Sequence, residues 1–290
     1  MKGIIVASAT PFNMDGSFNP SVLEDLMRRH IKEGAAGFFV GGSSAECMLL
    51  TEAERIAVFE TACAFSKETE IIAHVGCIST DEAIRYAKAA KSFGAQHIAA
   101  TPPIFYRFNN AQIAQYFYDI SDSVDMPVMI YNFPGNTGRT FELSDLNIRN
   151  LISSDKIWGI KHTDYNQFLF ERIRTLNPKL VMLNGYDETM VPGLSLGADG
   201  SVGSTFNVML PHYLKIYNSY HSGEFDSLME LQTKANNIME AFCGAGLIAA
   251  IKHVLTHQGF DVGIPRKPFM PLSNEQKEHI MKVFNENIIT

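Results

Sequence analysis

Eight short apolar runs recur between residues 4 and 202, each followed by an amphipathic stretch. They span residues 4–7, 37–40, 71–75, 97–100, 128–131, 157–161, 180–183 and 200–202. They begin roughly every 20–35 residues, which is the spacing of βα units in a parallel sheet. The stretches between them carry helix signals. Asn19-Pro20 caps and opens the first, and Thr51-Glu52-Ala53-Glu54 forms a capping box ahead of Ile56, Val58 and Phe59. Ser79 or Thr80 caps the next, and Gly94 stops it. Eight such units suit a closed (β/α)8 TIM barrel better than an open doubly wound sheet. An open sheet would carry a G-x-G-x-x-G first turn, which Ser8-Ala9-Thr10-Pro11-Phe12 lacks. Beyond Gly223 the strand signals stop. Helical patterns near 224–242, 246–258 and 274–286 follow, with a proline-rich joint at Ile264-Pro265-Arg266-Lys267-Pro268. The expected organisation is a catalytic barrel over residues 1–222 and a three-helix extension packed on it over 223–290.

Charge and composition narrow the partners. A net charge of −7 without a compensating Lys/Arg cluster gives no footprint for nucleic acid. Cys47, Cys63, Cys77 and Cys243 form no CxxC pair, so neither a zinc site nor a disulfide framework is expected. His74-Val75-Gly76-Cys77 comes nearest to a metal pair, and no metal is expected there. The N-terminus leads directly into a strand, and no apolar run is long enough to span a bilayer. No membrane partner and a cytoplasmic location are expected.

In such barrels the chemistry gathers at the C-terminal ends of the strands. The sixth strand, Ile157-Trp158-Gly159-Ile160-Lys161, ends in an ammonium. Burial would lower its pKa and let the neutral amine attack a ketone; a lysine that snorkels into solvent is the plain alternative. After the second strand, Gly41-Gly42-Ser43-Ser44-Ala45-Glu46 offers small hydroxyl residues and backbone N–H groups for an anion. A serine nucleophile elbow and simple turn packing are the rivals there. Tyr131 ends the fifth strand, as a proton shuttle or a core phenol. Tyr106 follows the fourth, where aromatic packing alone would explain it. Asn184-Gly185-Tyr186-Asp187-Glu188 ends the seventh, where the acids either cap a helix or accept hydrogen bonds from a polyol. The glycine-rich run 197–204 raises a phosphate seat, weakened by the lack of a neighbouring lysine or arginine.

Taken together, these strand ends resemble the pyruvate-dependent class I aldolases of the N-acetylneuraminate lyase/dihydrodipicolinate synthase family. The resemblance runs from Thr10-Pro11-Phe12 to Arg266-Lys267-Pro268-Phe269. It rests on the Gly-Gly-Ser turn ending in Glu46, Tyr131-Asn132-x-Pro134-x-x-x-Gly138, Lys161 and Gly197-Ala198-Asp199-Gly200. It implies that Lys161 forms a Schiff base with pyruvate, or with the C2 ketone of a small-molecule 2-keto acid substrate. It also implies that Tyr131 relays protons, that Ser43 and Ser44 hold the carboxylate, and that Tyr106 completes a hydroxyl relay in a neighbouring subunit of a homotetramer. The covalent imine would carry the chemistry, with no cofactor. Residues 72–77, 184–188 and 203–207 are most similar to the N-acetylneuraminate lyase branch. That branch implies polyol contacts from Gly185, Asp187, Glu188 and Ser204, with Thr163 nearby, and cleavage of N-acetylneuraminate to N-acetylmannosamine and pyruvate. Asn136 stands where the dihydrodipicolinate synthase branch places a carboxylate-binding arginine, which an amide does not replace. The alternatives are an aldolase or dehydratase of another 2-keto-3-deoxy sugar acid, or a dihydrodipicolinate synthase-like condensation. A catalytically silent sugar-acid-binding barrel would need a damaged Lys161–Tyr131 pair, and both residues are present.

Overall fold

The computed structural model describes residues 1–288. Among them, eight strands pair in parallel in chain order, and the last closes on the first to make a barrel. They are β1 (Gly3–Ala7), β2 (Gly37–Val40), β3 (Glu70–His74), β4 (His97–Ala100), β5 (Val128–Asn132), β6 (Ile157–His162), β7 (Val181–Asn184) and β8 (Gly200–Gly203). The helices around them are α1 (Pro20–Glu33), α2 (Glu52–Cys63), α3 (Thr80–Phe93), α4 (Asn110–Val124), α5 (Pro134–Thr137), α6 (Leu146–Ser153), α7 (Gln167–Leu176), α8 (Met190–Ser195) and α9 (Phe206–Ser222). Then come α10 (Phe225–Ala245), α11 (Leu247–His257) and α12 (Asn274–Asn287). The caps follow the local signals. Asn19 accepts from Val22 N–H, Thr51 and Glu54 complete their capping box, and Ser79 rather than Thr80 caps α3. Gly94 closes that helix with φ 94°, a left-handed turn that glycine adopts freely.

The later strands run one residue further than their apolar patterns predict. β5, β6, β7 and β8 end at Asn132, His162, Asn184 and Gly203. Asn132 pairs with His162, His162 with Asn184, and Asn184 with Ser201, so the ladder continues after the hydrophobic signal has stopped. At the opposite end of β8 the structure corrects the phosphate idea. Gly197–Asp199 precede that strand on the N-terminal face, and Arg174 of α7 occupies them, donating to Gly197 O (2.8 Å) and pairing with Asp199 Oδ2 (2.5 Å).

Alternation along each strand makes two cores. Ile4, Val6 and Ile160 face the helices, whereas Ile5, Ala7, Phe39, Ile72, Met129, Tyr131, Leu183 and Val202 fill the barrel. Lys161 follows Ile160 and is registered opposite Tyr131, so it turns inward at the top of this second core. α10 packs on α9, α8 and the turn Asp187–Thr189, and α12 lies along α10. α11 leaves α10 at 113° and returns toward the barrel mouth. Among the described residues no single helix is long and apolar enough to cross a membrane.

Candidate active site

Lys161 is 3% exposed, and among the described residues no carboxylate pairs with it. Its Nζ stands 4.1 Å from the centroid of the Tyr131 ring and 4.4 Å from that of Phe39. Burial lowers its pKa to about 7, with the charge of Asp187 holding it from falling further. Near neutrality a large share of this side chain is therefore free amine, the form that adds to a carbonyl. The solvent-snorkelling alternative is excluded by the burial. Tyr131 is also buried, and burial raises its phenol well above the ordinary tyrosine value, with the Ser43 hydrogen bond pulling the other way. It stays protonated at neutral pH, and its hydroxyl lies 3.1 Å from Ser43 Oγ.

A cavity of about 540 Å³ opens over Lys161. It brings together eight residues expected from the sequence: Ser43, Ser44, Tyr131, Lys161, Thr163, Gly185, Asp187 and Ser204. Ser44 and Ser204 come from turns on opposite sides of β1, and their hydroxyls meet at 2.6 Å. Ser204, expected on the polyol, thus also touches the cradle. Asp187 is buried and accepts from Thr205 N–H (2.8 Å) and Thr205 Oγ1–H (2.6 Å). Burial raises its pKa to about 6 against those two hydrogen bonds. A side chain at Gly203 would not leave room for it, because a Cβ there would lie 2.6 Å from Asp187 Oδ1. Gly185 does the same for Thr163: a Cβ would fall 1.9 Å from Thr163 Oγ1. That hydroxyl is buried and has no hydrogen-bond partner among the described residues.

Two expected residues stand apart from this cavity. Glu188 does not line it; its Oε1 accepts from the Tyr165 hydroxyl at 2.7 Å, and Tyr165 stacks on Tyr186 at 4.6 Å. Tyr106 is 61% exposed and packs on Phe105 and Phe108, away from the Tyr131 of its own chain.

Sequence reasoning missed the site's supports. α10 pins the acidic turn, with Gln232 Nε2 donating to Asp187 O (3.2 Å) and Asn236 Nδ2 to Glu188 O (3.3 Å). Leu247 and Ile248 of α11 and Pro268 and Phe269 of the following segment line the Lys161 cavity. Phe133, Pro268 and Phe269 also border a second cavity of about 480 Å³, which shares Ser43 and Tyr131 with the first. His74 at the end of β3 has both ring nitrogens engaged within the fold. Its Nδ1 faces Gly41 O at 3.0 Å and its Nε2 accepts from Thr101 N–H at 3.2 Å, which defines a neutral Nδ1–H tautomer. Burial, aided by the Arg55 cation, holds its pKa well below the usual histidine value. Arg55 itself is buried and donates to His74 O (2.7 Å) and Gly76 O (2.9 Å). Gln232, Asn236, Leu247 and Ile248 lie in helix patterns that mark no function, whereas His74, Pro268 and Phe269 stand in runs that carry the family resemblance.

An inward lysine at the C-terminal end of a strand, facing a tyrosine and a serine cradle, defines an aldolase-type (β/α)8 barrel. Residues 1–287 match the model of the dihydrodipicolinate synthetase family, and the chain belongs to that family. It is 34% identical over 285 residues to N-acetylneuraminate lyase 2 of Escherichia coli O6:H1, covering 97% of this chain and 93% of the relative. The crystal structure of CdNal from Clostridium difficile in complex with mannosamine superposes with a TM-score of 0.94 at 32% identity, covering 99% of each chain. N-acetylneuraminate lyase from Fusobacterium nucleatum gives 0.92 at 32% identity, covering 100% of this chain and 99% of that one. The protein is a lyase-type aldolase of this family.

Proposed function

We propose that the protein is a Schiff-base aldolase that reversibly cleaves N-acetylneuraminate to N-acetylmannosamine and pyruvate. The observation that carries this reading is Lys161, buried, without an ion-pair partner among the described residues and lowered to about 7, in a cavity it shares with Tyr131 and the serine cradle. The names of the relatives support the sugar acid.

In this mechanism the substrate carboxylate sits against Ser43 and Ser44, and neutral Lys161 Nζ adds to the C2 ketone of the open chain. Tyr131 gives its phenol proton to the C2 oxygen, which leaves as water and yields a protonated imine. The Tyr131 phenolate so formed, with the substrate carboxylate beside it, then takes the C4 hydroxyl proton. The C3–C4 pair then moves into the imine, the aldehyde N-acetylmannosamine leaves, and an enamine remains on the lysine. Protonation at C3 and hydrolysis return pyruvate and free amine. The imine is the electron sink, so this route asks for no bound cofactor. Asp187, Thr163, Gly185 and Ser204 face the polyol. Tyr106, exposed and remote from its own Tyr131, is assigned to the relay of a neighbouring subunit in a homotetramer.

A second reading, an aldolase or dehydratase of another 2-keto-3-deoxy sugar acid, draws on Glu188, whose Oε1 accepts from Tyr165 rather than facing the Lys161 cavity. The test is pyruvate release from N-acetylneuraminate by the wild type and by Lys161→Ala. Release that vanishes in the variant is expected. No release, with pyruvate still trapped on Lys161 by borohydride, moves the substrate to the second reading. Release that persists in Lys161→Ala sinks both.

A further inference from the structure

An ion pair that no step of this reaction uses lies buried behind the serine cradle. Glu46 ends the cradle turn with φ 58° and ψ 34°, a left-handed conformation that disfavours side chains of its kind. Lys252 of α11 places Nζ 2.7 Å from Glu46 Oε1, and the two side chains are 1% and 0% exposed. The Arg266 backbone N–H donates to Glu46 Oε2 at 2.6 Å. Lys252 Nζ stands 3.9 Å from the Phe12 ring centroid, and the Arg266 guanidinium lies 4.4 Å from the same ring. That guanidinium also donates to Leu49 O at 2.9 Å and to Glu54 Oε2 at 2.7 Å, so it ties the segment after the cradle to the first turn of α2. On the barrel side, Thr10 Oγ1 donates to Ala45 O at 2.9 Å. The turn after β2, helix α11 and the segment around Arg266 therefore meet at one carboxylate.

A buried ion pair is a weak source of stability, because desolvation offsets the attraction; fixing one arrangement among several is its better-attested use. The arrangement fixed here is the one that points Ser43 at Tyr131 and Ser44 at Ser204. We propose that Glu46 is a positioning residue for the carboxylate cradle, held by Lys252 and the Arg266 backbone, so that the C-terminal extension sets the aim of Ser43 and Ser44. This rests on the Schiff-base reading above. It gives the extension a part in substrate binding, through residues that touch no substrate.

The test is borohydride trapping of pyruvate by the full-length protein, with half-saturating pyruvate and maximal trapping rate read separately. Wild type is compared with Lys252→Met, Glu46→Gln and the double variant. The single variants should need ~10-fold more pyruvate, the effect of misaligning one charge-assisted hydrogen bond. Their maximal rate should hold, because the Lys161 amine is untouched. The double variant leaves no unpaired charge, so it should regain thermal stability while its half-saturation stays high. It decides the matter if either single variant fails to fold. Unchanged half-saturation in the folded variants, or recovery of both stability and affinity in the double, overturns the proposal. A wild type that traps no pyruvate removes the Schiff-base reading first, and this inference with it.

Discussion

Two lysines in different regions of the molecule are almost wholly withdrawn from water: Lys161 at the top of β6, 3% exposed, and Lys252 inside α11, 1% exposed. Each Nζ stands about 4 Å from an aromatic ring, Tyr131 for the first and Phe12 for the second. Burial lowers both, to about 7 and about 8. They differ in company. Lys252 has Glu46 at 2.7 Å, whereas Lys161 has no ion-pair partner among the described residues. Burial alone therefore does not mark a lysine as chemical. A paired ammonium is tied up in structure, and an unpaired one is left with a reactive amine and an open cavity.

The sharpest way to break this comparison is to replace each lysine with methionine and measure unfolding near pH 6.5. An amine at about 7 in the fold and 10.5 when free binds fewer protons folded than unfolded between those values, so stability rises with pH across that window. Below pH 7 the fold carries the full penalty. Lys161→Met removes it and should stabilise the protein by roughly 3–5 kcal/mol, with turnover lost. Lys252→Met strands the Glu46 carboxylate and should destabilise by about 3–5 kcal/mol. The two substitutions shift the denaturant midpoint in opposite directions. Shifts of the same sign would show that Glu46 is no real distinction.

The same contrast explains what was legible in the sequence. The barrel could be read because apolar runs and caps repeat at βα spacing, and Lys161 could be read because an ammonium breaks an apolar strand. Ser43, Tyr131 and Asp187 are strand-end residues, and closing the barrel is enough to bring such residues together. Lys252 could not be read. It sits in Ile251-Lys252-His253-Val254, where helical periodicity allows a solvated lysine, and its partner lies 206 positions earlier in the chain. Glu188 is next to Asp187 in sequence, yet its Oε1 meets Tyr165, which arrives from another loop. Contacts between remote segments leave no local pattern.

A smaller effect should come from the close packing beside the reactive lysine. Gly185→Ala drives a Cβ toward Thr163 Oγ1, so Thr163 must turn away from its place in the cavity. Overpacking of this kind costs about 1–3 kcal/mol. Half-saturation by the sugar acid should rise ~10-fold while pyruvate trapping on Lys161 changes little. Equal losses in both measurements would show that Gly185 serves the lysine itself rather than the polyol.

The smallest effect tests the one charge that reaches Lys161. Only the neutral amine adds to a ketone, so trapping at low pyruvate should rise with pH through the Lys161 pKa of about 7. Asp187 favours the ammonium, its charge being the main one that opposes burial, and its own pKa of about 6 leaves it mostly ionised across that limb. Cys47, the other group acting on the amine, is raised by burial and stays a neutral thiol there. Asp187→Asn keeps an oxygen for the Thr205 N–H but removes the charge. The ammonium loses support, so the amine is freed at a higher acidity than in the wild type and the rising limb moves to lower pH. A limb that stays in place would mean that desolvation alone sets the amine, and that Asp187 belongs wholly to the polyol.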